Sequence, residues 1–75
     1  MNDSIIRTAF ENVAPHISNI ETMKNLVDTL ESEKLSLTEL IERLQEEIEE
    51  AEVTLRTDIR ILINECRHLE SRMIR

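Results

Sequence analysis

Seventy-five residues suffice for one domain with a modest core, and sixteen acids against nine bases leave a net charge of −7. Such a balance opposes nonspecific attachment to nucleic acid or to an anionic membrane, and no apolar run approaches the length of a membrane span. With no Gly, no Trp, no Tyr, one Phe and one Pro, the chain lacks the usual residues of hairpin turns, phosphate-cradling loops and aromatic cores. An all-α fold follows.

In chain order, Asp3 or Ser4 can cap a first helical segment, residues 1–14, whose Ile5, Ile6, Phe10 and Val13 share a face. Pro15 removes an amide and crowds the turn before it, so a break is expected between about Asn12 and Ser18. Ser18 and Glu21 have capping-box spacing for a new start. From there the apolar stripe continues to the end, and the spacing predicts one long helix over residues 18–75, about 85 Å if unbroken. The alternative is a hairpin with a turn at residues 35–38, where Ser36 and Glu39 form a second capping box with Leu35 and Leu40 as its staple. The absence of Gly, Pro, Asn and Asp between Glu31 and Ser36 favours the unbroken rod.

The strongest regularity is a seven-residue column: Ile6, Val13, Ile20, Val27, Lys34, Ile41, Ile48, Leu55, Leu62 and Leu69. Only Lys34 is polar. A companion column runs through Met23, Leu30, Leu37, Leu44 and Ala51, then shifts by one residue to Ile59, Cys66 and Met73, leaving Asp58, Glu65 and Arg72 at the strict positions. This pattern predicts a coiled coil or helical bundle with a stutter near Thr54–Thr57, and Lys34 as a register-setting residue in the seam. The expected interface with partner helices is Ile20, Val27, Leu30, Leu37, Ile41, Leu44, Ile48, Leu55, Ile59, Leu62, Cys66 and Leu69.

Charge is segregated: residues 39–52 hold seven Glu and one Arg, whereas residues 56–75 hold five Arg and three acids. Folding one helix antiparallel on another about residue 57 would bring Glu42 to Arg72, Glu47 to Arg67 and Glu39 to Arg75, fixing orientation. A parallel dimer would instead set Glu47 beside Glu52, so the residues leave the orientation open.

Chemistry is hard to find. Cys66 lies in the apolar stripe and reads as a small core hydrophobe; His68 and Glu65 beside it do not complete a zinc set, and His16 belongs to the break. The Glu run reads as a solvated helix face and the C-terminal arginines as its charge partners. No catalytic constellation, metal site or cofactor is expected. The opening residues carry no secretion-signal pattern, Asn2 stands where a myristoyl acceptor would be Gly, and one cysteine cannot form an internal disulfide, so a soluble intracellular protein is expected. Two functional expectations follow. The first is a coiled-coil oligomerisation or scaffolding subunit whose partners are copies of itself or other chains. The second is a small helical-hairpin regulatory binder, an inhibitor, antagonist or chaperone, that offers an apolar groove to a client.

Overall fold

The computed structural model describes residues 4–73. Among them the chain is all-helical, with α1 at Ile5–Val13, a 3-10 turn at Ala14–His16, α2 at Ile20–Ser32, α3 at Leu37–Glu50 and α4 at Val53–Met73. No strand occurs among the described residues. Asp3, Arg75 and the Met73 side chain, which figured in the sequence expectations, lie outside what is described.

The expected rod from residue 18 to the end is not formed, because it is cut at two places. The chain folds back at both cuts, giving extents of 34 × 23 × 22 Å. Its Cα radius of gyration is 11.4 Å, against about 11 Å for a compact chain of this length. The 21 residues of α4 span about 31 Å and set the long axis.

Each helix boundary has a local cause. Ser4 accepts the Arg7 amide at 3.0 Å and starts α1. Pro15 sits in the 3-10 turn that ends it, where an α-helix would need the amide that proline lacks. Before α2, the expected Ser18 cap is replaced: Asn19 is the cap residue, its own side chain makes no capping bond, and the acceptor comes from α4 instead. Lys34 ends α2 in the left-handed conformation at φ 55, the role glycine usually fills. The Lys34 amide donates to the Glu31 carbonyl at 3.2 Å, closing the last turn. The column's polar exception is therefore an exposed turn residue and not a seam residue.

Two residues later the Ser36–Glu39 capping box starts α3: the Glu39 amide donates to Ser36 Oγ at 3.2 Å and the Ser36 amide to Glu39 Oε1 at 2.9 Å. The second cut, at Ala51–Glu52, has no such side-chain signal within the turn. Ala51 adopts an extended ψ of 155°, and Arg56 of α4 reaches back to donate from Nε to the Ala51 carbonyl at 2.9 Å.

A two-residue connection between long, contacting helices makes α3 and α4 antiparallel. Arg7 bonded to Asp28 and Glu31 sets α1 antiparallel to α2, and Asn12–Glu65 followed by Ser18–Asp58 sets α1 antiparallel to α4. Short as it is, α1 touches all three of the others. The core it helps close contains Ile6, Phe10 and Val13 with Met23, Val27, Leu30, Leu44, Ile59, Leu62 and Cys66.

Candidate functional site

Val27, Leu30, Ile41, Leu44, Ile59, Leu62 and Cys66 are buried within the chain's own core. Leu37, Ile48, Leu55 and Leu69 are half-buried against it, and Ile20 is 41% exposed at the first position of α2. Their apolar area is largely covered without a partner. The expected orientation pairs Glu42–Arg72 and Glu47–Arg67 do not form among the described residues. The fold-back lies near Ala51 and not residue 57, which slides each pair apart by about 16 Å along the helix axis.

Other ion pairs exist. The Nη2 of Arg7 bonds Asp28 at 2.6 Å and Glu31 at 2.7 Å, joining α1 to α2, and Arg43 of α3 pairs with Glu33 after α2. The Arg7 bond, with the Ser4 hydroxyl, holds the Glu31 carboxyl below the usual range, and the guanidinium of Arg7 is correspondingly raised. These partly exposed charges orient helices more than they stabilise them.

Among the described residues the buried polar group is Asp58, 1% exposed on α4. Its Oδ1 accepts the Ser18 amide at 3.1 Å, and its Oδ2 accepts the Asn19 amide at 2.7 Å and Asn19 Nδ2 at 3.0 Å. Burial alone would push this carboxyl up; the three donors outweigh it and hold the group below the ordinary aspartate value. Asp58 is thus the N-terminal cap of α2, supplied from another helix, and complements the positive end of the α2 dipole. It is structural. In the sequence it reads as an acid spoiling an apolar column, and the signal that could have found it is that same misplacement: a carboxylate on a buried stripe needs donors, and Ser18-Asn19 before a helix start offers them.

Cys66 is fully buried, and burial, then the charge of Glu65, pushes its thiol up to about 11. At neutral pH it stays protonated, a core side chain. Among the described residues no group of His, Cys, Asp and Glu stands close enough to hold a metal, and His16 and His68 are exposed.

A concave feature lies at the end of the bundle where α1 and α3 begin and α2 ends. It is a half-open cleft of about 260 Å³ with a floor of Ile6, Leu30 and Leu40 and walls of Ile5, Leu35 and Leu37. Ser4, Glu31 and Lys34 form its polar edge. The local sequence builds it. The capping box fixes the direction in which α3 departs, its staple residues Leu35 and Leu40 line one side, and the left-handed turn at Lys34 carries the chain around the rim. Asp28, Glu31, Glu33 and Glu39 surround this end against Arg7, Lys34 and Arg43, leaving it slightly acidic. Such a cleft has room for an aliphatic side chain or two and is smaller than the pockets that enclose a typical small-molecule ligand.

The chain belongs to the MJ1579 family, whose model matches residues 4–71. That range takes in α1, α2, α3, the cleft, Asp58 and all but the last two residues of α4. No curated protein and no solved structure matches the chain.

Proposed function

We propose that this family member is a small helical binding module, a regulatory binder whose cleft at the α1–α2–α3 end receives an aliphatic anchor from a client helix. The observation that carries the reading is where the half-buried apolar residues stand. Ile48, Leu55 and Leu69 of the heptad stripe pack against the chain's own core, whereas Ile5, Leu35 and the stripe's Leu37, equally half-buried, line an open cleft. A helix laid in a groove is a common recognition mode, read through anchors spaced at three and four residues. The net charge of −7 and the slightly acidic rim favour a client with basic residues flanking its anchor. The role is binding: the polar groups at the cleft edge serve the fold, Ser4 Oγ accepting the Arg7 amide and Glu31 accepting from Arg7 Nη2.

The scaffolding reading retains one observation in its favour, the seven-residue column that keeps its count through both turns. A coiled coil through that stripe would require the bundle to open first. Among the described residues no helix is long and apolar enough to cross a membrane.

A displayed library of helical peptides tests the binding reading. Selected sequences should share a large aliphatic anchor with Lys or Arg around it, and Leu35→Glu or Leu37→Glu should abolish their binding while helicity is unchanged. Selection of peptides without that character, or binding indifferent to both substitutions, would refute the cleft as the docking site.

A further inference from the structure

We infer that the Ala51–Glu52 turn is a hinge, and that two copies of this chain exchange α4 by straightening it, each α4 packing on the α1–α3 unit of the other copy. This does not rest on the binding reading, and since the cleft is built from α1, α2 and α3 alone, exchange leaves it intact.

The two interhelical turns differ in how firmly they are specified. At the first, Lys34 is left-handed, Ser36 and Glu39 form a complete capping box, and Arg43 pairs with Glu33 across the turn. At the second, the two connecting residues are Ala and Glu, both good helix formers. There is no Gly or Pro, and φ at Ala51 is −85°, close to helical; chiefly its ψ of 155° must change for the helix to run on. The bond that marks the stop, from the Ala51 amide to the Ile48 carbonyl, is long at 3.3 Å. The Leu55 and Arg56 amides already bond the Glu52 carbonyl, so α4 starts in helical geometry. A continuous helix would supply partners for amides and carbonyls that helix ends leave unmatched.

The sequence column makes the straightened form coherent. Ile41, Ile48, Leu55, Leu62 and Leu69 keep a seven-residue spacing across Ala51–Glu52, so a single helix over residues 37–73, about 55 Å long, presents one stripe. In the exchanged pair the contacts of α4 with α1 and α3, and the bonds from Ser18 and Asn19 to Asp58, are remade between copies with the same atoms. What changes is local. The Arg56 latch on the Ala51 carbonyl is lost, and Val53, 73% exposed beside the hinge, gains the other copy's hinge as a neighbour. Exchange of identical elements through a short hinge is a low-cost route to a dimer, opposed mainly by the entropy of association.

The test is refolding from denaturant at a series of protein concentrations, followed by size-exclusion chromatography with light scattering. The full chain should give a dimer whose fraction rises with refolding concentration and which dissociates slowly on dilution. Val53→Pro places proline at the first position of α4, which the compact turn accepts and a continuous helix does not; it should remain monomeric at every concentration with native helicity. A Gly-Ser-Gly-Ser insertion between Ala51 and Glu52, which relaxes the short hinge, should do the same and decides the matter should Val53→Pro fail to fold. Arg56→Ala, which removes the latch, should raise the dimer fraction. A chain monomeric throughout, or a dimer that persists in the proline or insertion variant, would overturn the inference.

Discussion

The turns at Glu33–Ser36 and Ala51–Glu52 do the same job by different means. The first is written in its own residues: a left-handed Lys34, a capping box and a cross-turn ion pair. The second is imposed from outside, by α3 and α4 packing on each other and by Arg56 holding a carbonyl. A helix stop encoded locally can be read from a window of six residues. One encoded by packing cannot, because the same window also fits a helix, and tertiary burial decides between the two.

The largest expected effect comes from removing the packing that imposes the second turn. Leu44→Ala and Leu62→Ala each empty a fully buried site and should cost about 2–5 kcal/mol. That is a large share of the roughly 4–11 kcal/mol available to a chain this long. Urea unfolding followed by circular dichroism measures it. If packing alone sets the second turn, amide exchange in these variants should accelerate more at residues 50–55 than at residues 33–39.

Next is Asp58→Ala, which leaves the Ser18 and Asn19 donors without their charged acceptor and should cost about 2–3 kcal/mol. The pH dependence has a definite sign. Because the folded carboxyl lies below its ordinary value, its contribution is complete above the unfolded value of about 3.9 and is lost as pH falls through the lower folded value. Acid titration of the unfolding free energy should therefore be shallower in Asp58→Asn than in the native chain; equal slopes would remove Asp58 from the account.

Smaller effects probe the first turn. Ser36→Ala deletes a capping side chain and should cost about 1 kcal/mol. Lys34→Gly relieves a left-handed non-glycine residue and should gain about 0.5–1 kcal/mol, the steric relief offset in part by glycine's greater freedom when unfolded. Thermal unfolding of the two variants resolves both signs. A destabilising Lys34→Gly would mean that the lysine side chain, at the cleft edge, contributes more to the fold than its backbone conformation costs.

The all-helical class was legible because a chain without Gly and with apolar residues at three- and four-residue steps has few alternatives. Pro15 announced the first interruption, and Ser36, Glu39, Leu35 and Leu40 contained the next one, outweighed in the sequence reading by the lack of a breaker before them. The third interruption was illegible: Glu49-Glu50-Ala51-Glu52 is as good a helix as any stretch of the chain, and the heptad count passes through it unchanged. With the fold-back near Ala51 and not residue 57, Glu42–Arg72 and Glu47–Arg67 are out of register. The cleft could not be read at all, since its lining comes from α1, α2 and α3, whose meeting depends on the break at Pro15 and the turn at Glu33–Ser36. Arg7 carried no local signal either, because Asp28 and Glu31 are distant in sequence.

The central claim is that one chain closes its own stripe. Small-angle scattering on the dilute protein tests it most directly, reading mass and dimensions from one sample. The account expects a monomer with a radius of gyration close to the Cα value of 11.4 Å, enlarged only by side chains and hydration. A particle of about 85 Å or longer, the length of an unbroken helix from residue 18 onward, would contradict it and return the stripe to partner helices.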